Sequence, residues 1–343
     1  MEKKRKKRRS HRNRNKRAGK LLLLAGAGLV LACAGGGYVI MKNQGSRHIT
    51  AGNSVNMGSG YREIVYEGKK YSYNTLVTAV LFAGLDSEGE IGAETYTDAP
   101  RADSINLVVL DKKNKKMSVL AFDRDTMASM HRYTLTGRDR GTYVGHLCLA
   151  YTYGDGGKVS CENLREAVSE LMGGLPIQEY VVTNRSSLPY LNQLVGGVTV
   201  EVPNNDLVEA YPEFYEGATV TLPDNLVETY VRKRDVEKDF SNKGRLERQR
   251  TYVESYIQQF MELAKGSPRD LWDKLSQIDT YVQSSITKNK YLDMVNTLNE
   301  VTFQQEDYWI VEGEREAGEL HDEFYVDEEA LQKKVIELFY EEQ

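Results

Sequence analysis

The chain has 343 residues, 28% of them charged, and a formal net charge of −5. That charge is unevenly placed: residues 1–20 (MEKKRKKRRSHRNRNKRAGK) hold twelve Lys or Arg and one Glu, for +11, and residues 21–41 hold none. Residues 42–343 therefore carry −16, the difference between −5 and +11, which argues against non-specific binding of nucleic acid by the body of the protein. Any anionic ligand there needs positive charge gathered locally.

The uncharged run Leu21–Met41 has 21 residues, which as a helix reaches roughly 30 Å, the thickness of a bilayer's hydrocarbon core. A basic flank stays in the cytoplasm, so the expected topology is N-inside, with residues 1–20 as a cytoplasmic tail, 21–41 as an anchor and the rest exported. Residues 1–20 also read as a nucleic-acid-binding arm, but they abut a spanning segment. Leu21–Leu31 also reads as a signal-peptide core, and Val30-Leu31-Ala32-Cys33 as a weak lipoprotein box with Leu31 at a poor position. The run stays apolar to Met41 despite Gly35-Gly36-Gly37, which favours an uncleaved anchor. Residues 42–60, rich in Gly, Ser and Asn, read as a flexible stalk leading to a domain over 61–343.

Within that domain Ile64–Tyr66 and Tyr71–Tyr73 predict a hairpin around Glu67-Gly68-Lys69-Lys70. Val77–Leu85, Ser104–Leu110 and Met117–Phe122 predict strands, the first almost continuously apolar as a strand covered on both faces should be. The polar turn 111–115 predicts that the second and third form a hairpin. Asn163–Met172 has helical spacing, with Leu164, Ala167, Val168 and Leu171 on one face. Glu179–Thr183 predicts a strand, Leu188–Val195 a helix stopped by Gly196-Gly197, and Val198–Val202 a strand. Arg245–Lys265 is a long helix with Tyr252, Ile257, Phe260 and Leu263 in its stripe. More helices, a strand near Tyr308–Val311 and a final helix from Glu328 complete an α/β fold with helices on both faces of a mixed sheet.

Cys33 lies in the apolar segment, which leaves Cys148 and Cys161 in an oxidising compartment with twelve residues between them. A disulfide is expected, with two buried free thiols as the alternative.

There is no GxxxxGK[ST], HExxH, CxxC pair or GxSxG, and five scattered histidines suggest no triad. Three polar clusters instead sit at ends of predicted strands, where ligands gather in α/β folds. Asp86 follows the apolar strand, and Arg101-Ala102-Asp103-Ser104 opens the next. If those strands are neighbours, two carboxylates approach, a pairing that suits a hard cation such as Mg²⁺; a capped turn and an Arg101–Asp103 pair are the alternative. Asp123-Arg124-Asp125 holds an arginine between two acids, or is a weak surface ion pair. The fullest cluster is Tyr230-Val231-Arg232-Lys233-Arg234 with Arg245-Leu246-Glu247-Arg248-Gln249. In an extended segment Arg232 and Arg234 share a face. On a helix Arg245, Arg248 and Gln249 share one too, near an N-terminus that favours anions. Guanidinium forks match phosphate oxygens two at a time, so convergence here points to a phosphate or diphosphate, against the plainer reading of a solvated basic face.

With these residues assembled, the chain resembles the LytR-CpsA-Psr family of cell-wall phosphotransferases. The resemblance covers about 76–343 and rests on seven segments in order: LFAGLDS, RADSINLVVLD, MSVLAFDRDT, GHLCLAYTYGDGG, LVGGVTVEVP, LVETYVRKRD and DFSNKGRLERQR. It implies an α-β-α sandwich with a hydrophobic tunnel for a lipid tail. It also implies transfer of an anionic glycopolymer from a polyprenyl diphosphate carrier to a muramic acid hydroxyl of peptidoglycan. By resemblance the metal aspartates fall on Asp86 and Asp103, with Mg²⁺ or Mn²⁺ as the ion. The diphosphate-binding residues fall on Arg101, Arg124, Arg232, Arg234, Arg245 and Gln249. Catalysis is expected from Arg124, Arg232 and Arg234, with Asp125 orienting Arg124. The cysteines fall where some relatives carry them. The chain departs from the family pattern at Asp123, where Pro or a small residue is usual. Ser241–Gly244 lengthens the spacing before Arg245, and 222–225 lacks the usual Gly.

Overall fold

The computed structural model describes residues 61–92, 99–134, 137–233, 241–318 and 321–343, with 241–243 and 246 described by backbone alone. The segments read as tail, anchor and stalk lie outside these residues, and no helix among the described residues is long and apolar enough to cross a membrane. The first hairpin pairs β1 (Glu63–Tyr66) with β2 (Lys69–Tyr73) across Glu67 and Gly68. Both turn residues have positive φ, 47° and 77°, as a tight two-residue hairpin turn requires.

Next come β3 (Val77–Leu85), β4 (Ala102–Asp111) and β5 (Lys116–Phe122), an antiparallel meander that matches the predicted strands closely. A second hairpin, β6 (Met127–Tyr133) with β7 (Asp139–His146), precedes α1 (Leu149–Thr152) and α2 (Lys158–Leu171). Then β8 (Glu179–Asn184) lies parallel to β3, followed by α3 (Leu188–Leu194) and the ribbon β9 (Thr199–Glu201) with β10 (Thr219–Thr221). The helices α4 (Val227–Arg232), α5 (Ser241–Ala264) and α6 (Pro268–Leu275) lead to β11 (Val282–Ser284) and α7 (Lys288–Leu298). The chain closes with β12 (Tyr308–Ile310), the hairpin β13 (Gly313–Ala317) and β14 (Asp322–Val326), α8 (Glu328–Phe339) and β15 (Tyr340–Glu342).

The central sheet has six strands in the order β11-β8-β3-β4-β5-β12, with both parallel and antiparallel pairs. Alternation along its strands makes two cores, because successive side chains leave opposite faces. Val80, Phe82, Val108, Leu110 and Val119 pack beneath α3 to α7. Ala79, Leu81, Ala83, Leu107, Val109 and Leu120 pack against α2 and α8. β3 and β4 therefore had to be apolar at nearly every position, which is why both were legible.

The β6/β7 and β13/β14 hairpins had no counterpart in the sequence reading. Every residue of β13 is exposed, and so are the first six of β7, so neither carries the alternation that marks a strand.

Candidate functional site

The strands β3, β5 and β8 all end at one edge of the sheet, and β4 starts there. Leu85 pairs with Ala102 on one side and Asn184 on the other, and Ile105 pairs with Phe122. This register brings Asp86, Arg101, Asp103, the 123–125 loop and Arg185 to the same corner. A register shift at Gly84/Leu85 marks the point where β3 leaves the ladder with β4.

Asp86 and Arg101 hold each other. The Arg101 backbone N–H donates to Asp86 Oδ1 at 2.8 Å and its Nε to Oδ2 at 3.1 Å, while the Asp86 N–H donates to the Arg101 carbonyl at 3.0 Å. Asp103 pairs instead with Arg124 and has only 5% of its side chain exposed. Of the two alternatives read from the sequence, an Arg101–Asp103 pair is not what forms: each aspartate takes a different arginine. Burial pushes the Asp103 carboxyl above its ordinary range; Arg124 opposes this, and the nearby Asp86 carboxylate adds to it.

Arg124 is fixed by its backbone as well as its side chain. Its carbonyl accepts from the Cys148 N–H at 3.0 Å, and the adjoining Asp125 carbonyl accepts from the Phe324 N–H at 3.0 Å. Asp123 Oδ1 accepts from the Asp125 N–H at 2.9 Å, closing an Asx-type turn around the arginine. Asp125 Oδ1 lies 3.3 Å from Arg124 Nε. Arg315 of β13, absent from the sequence reading, reaches across to both acids: it pairs with Asp123 and lies 3.0 Å from Asp125 Oδ2. The Asp123 that departs from the family pattern thus has a guanidinium of its own, and its charge is met locally instead of at Arg124.

The helical half differs from the expected geometry. Arg232 is the last residue of α4 and not part of an extended strand; the backbone turns extended only at Lys233, and Arg234 lies outside the described residues. Arg232 pairs with Glu228 one helical turn earlier. Arg245 and Gln249 are buried on α5, with 4% and 7% of their surface exposed, and Gln249 Nε2 donates to the Val231 carbonyl at 2.9 Å. Arg248 is fully buried and serves the backbone of α4. Its Nε donates to the Tyr230 carbonyl at 2.9 Å, its Nη1 to Asp206 Oδ2 at 2.7 Å and Asn204 Oδ1 at 3.0 Å, and its Nη2 to the Lys233 carbonyl. The shared face of Arg245, Arg248 and Gln249 was legible from spacing, but only packing shows that Arg248 is turned to α4.

Arg185, also missed, joins the two halves. Its Nη1 donates to the Asp86 carbonyl at 3.4 Å, and its Nε lies 3.0 Å from Glu228 Oε1, the oxygen that Arg232 also contacts. Its only sequence signal was its place directly after the β8 strand. The Nε of Arg232 is buried without a hydrogen-bond partner among the described residues, whereas those of Arg124 and Arg185 meet Asp125 and Glu228 as ion pairs at 3.3 and 3.0 Å without closing a hydrogen bond. Such unused donors on guanidiniums are what an anion's oxygens would satisfy.

The LytR_cpsA_psr family model matches residues 50–337. The chain belongs to this family. Among curated relatives it is 27% identical over 246 residues to the polyisoprenyl-teichoic acid–peptidoglycan teichoic acid transferase TagU of Bacillus anthracis, covering 71% of each chain. It is 27% identical over 250 residues to the corresponding transferase TagV of Bacillus subtilis, covering 69% of this chain and 56% of that one. The fold resembles the structure of TagT bound to LIIa-WTA, with a TM-score of 0.56 at 17% identity over 77% of this chain and 90% of that one. It also resembles the crystal structure of B. subtilis TagV, with a TM-score of 0.52 at 22% identity over 77% and 97%. The central mixed sheet with flanking helices is therefore the family's fold.

Two expectations need correction or narrowing. Cys148 and Cys161 are free and buried, so the expected disulfide does not form in this structure. The two thiols face different partners: Cys148 Sγ lies 3.6 Å from an Arg124 nitrogen, and Cys161 Sγ donates to Gln283 Oε1 at 3.1 Å. Burial pushes the Cys148 thiol up to about 12, against the pull of Arg124. As to metal, no group of three or more His, Cys, Asp or Glu gathers among the described residues. Asp86 and Asp103 have the hard carboxylate oxygens that suit a cation keeping several waters, and in this structure those oxygens are met by Arg101 and Arg124.

Proposed function

We propose that this chain moves an anionic glycopolymer from a polyprenyl diphosphate carrier to a muramic acid hydroxyl of peptidoglycan, at the outer face of the membrane. The observation that carries this reading is the joining of Asp86, Arg101, Asp103, Arg124, Arg185 and Arg232 into one corner, where four guanidiniums converge. The transferase names of the TagU and TagV relatives support it.

In the proposed reaction the acceptor oxygen attacks the phosphorus on the sugar side of the diphosphate. The bond between that phosphorus and the bridging oxygen breaks, and lipid phosphate leaves carrying the bridging oxygen. The acceptor's proton passes to Asp103 or Asp125, the carboxylates that flank Arg124. Phosphoryl transfer is mostly positioning and charge stabilisation, which Arg101, Arg124, Arg232, Arg234, Arg245 and Gln249 supply. Mg²⁺ or Mn²⁺ held by Asp86 and Asp103 would neutralise diphosphate charge. The lipid tail is assigned to the apolar layer under α3 to α7. Support comes from a cavity of about 250 Å³ lined in part by Tyr190, Leu194, Leu275 and Ile278, and from the stacked Tyr252, Tyr256 and Phe260 along α5 below Gln249.

The test supplies purified full-length chain with a lipid-diphosphate glycan donor and glycan-strand acceptor. Joint Arg232→Ala and Arg234→Ala substitution is expected to lower transfer at least a hundredfold, on the scale of arginine contacts in phosphoryl transfer. Undiminished transfer would overturn the site assignment. Release of glycan phosphate at equal rate with and without acceptor would point to a hydrolase using the same residues.

A further inference from the structure

Glu228 sits in an unusual position for an acid in a phosphate-binding corner. One of its oxygens, Oε1, lies 3.0 Å from Arg185 Nε and also pairs with Arg232 Nη1. A single oxygen held between two guanidiniums is the charge pattern of an arginine-bound phosphate oxygen. The two arginines come from different elements. Arg185 follows β8, tied to the Asp86 carbonyl and paired through Nη2 with the exposed Glu88; Arg232 ends α4, with Glu228 one turn before it. Among the described residues the shared acid is what bridges them.

Resting on the function proposed above, we propose that Arg185 is a further phosphate-binding residue of the donor site, and that Glu228 holds the place of a phosphate oxygen until the donor displaces it. The Glu228 side chain is 39% exposed, so it can swing into water at small cost, whereas Arg185 and Arg232, at 25% and 29%, are more enclosed. The Nε of Arg232 is buried without a hydrogen-bond partner among the described residues, and one Glu228 oxygen serves both guanidiniums, so the carboxylate satisfies the pair incompletely. A phosphate group brings more oxygens and more charge, and can engage both forks together. Arg185 also lies between Asp86 and Arg232, where it would span the carboxylate and helical halves of the site.

The experiment titrates inorganic pyrophosphate into the full-length chain in detergent micelles at low salt by calorimetry. Arg185→Ala is expected to weaken binding roughly tenfold, the loss of about one charge-assisted hydrogen bond. Arg185→Lys should fall between the two, since it keeps charge without the fork. Glu228→Gln should tighten binding severalfold, because a neutral amide competes poorly for two guanidiniums. The opposite signs are decisive, since a merely structural ion pair would make both substitutions weaken binding or neither change it. If Arg232→Ala abolishes binding while the Arg185 and Glu228 variants match wild type, this inference fails and the donor-site reading stands. If Arg232→Ala also matches wild type, or wild type does not bind, the reading beneath it fails.

Discussion

Arg315 shows how a residue far from the strand ends can set the direction of one beside them. It meets Asp123 and Asp125 together, and those acids frame Arg124 through an Asx turn and an ion pair. Its side chain also lies over the Phe324 ring, with 5.8 Å from guanidinium carbon to centroid. Arg315→Ala leaves two acids competing for Arg124, so transfer is expected to fall about tenfold in rate with little change in donor KM, and Arg315→Lys to recover part of it; steady-state kinetics on the three proteins would show this split. Asp103 makes a second prediction at this scale. Its folded carboxyl holds its proton more tightly than the ordinary value of 3.8, so the folded state binds more protons than the unfolded one across that window. Stability contributed by this group is present at low pH and lost as pH rises through the window. In chelator, Asp103→Asn should therefore compare more favourably with wild type at pH 7 than at pH 4, and it should remove any increment that Mg²⁺ gives the wild type. Melts at both pH values, with and without Mg²⁺, check it.

At the scale of elements, α4 owes its position to α5. Arg248 is enclosed completely and spends its donors on the Tyr230 and Lys233 carbonyls and on Asn204 and Asp206. Gln249 adds a bond to the Val231 carbonyl. These contacts hold the six-residue α4, which is too short to persist alone, so that Arg232 leaves its end toward the site. Arg248→Ala leaves buried acceptors unpaired and is expected to cost roughly 3 kcal/mol in urea unfolding. Transfer should fall too, although Arg248 has no place among the phosphate ligands. The elements that carry this half of the site were only partly legible. The apolar stripe of α5 marked it plainly, but the segment ending at Arg232 was expected to be extended. Its helical form depends on packing of Val227, Tyr230 and Val231 into the core, which a six-residue window does not reveal.

At the scale of the whole molecule, the proposed donor never leaves the membrane, so an anchor at residues 21–41 would confine the domain to the surface where donor is displayed. Replacing that segment with a cleavable signal should release the domain and lower polymer attachment to the wall about tenfold or more at equal protein level, measured by wall-bound phosphate; unchanged attachment would count against an anchored role. By itself the sequence determined five of the six strands and most helices of the central sandwich, missing the three-residue edge strand β11, because continuous apolar runs and helical stripes are local signals that burial makes obligatory. It also marked Asp86, Arg101, Asp103, Arg124, Arg232, Arg245 and Gln249 as the polar residues to watch, through their places at strand and helix ends. Only the tertiary structure decided the pairings: Asp103 with Arg124 and not Arg101, the cysteines apart, Arg248 turned to α4, and Arg185 and Arg315 drawn in from separate elements. The physical reason is that ion pairs and side-chain partners depend on distances between segments 18 to 192 residues apart, which strand register and helix packing set and no local pattern records.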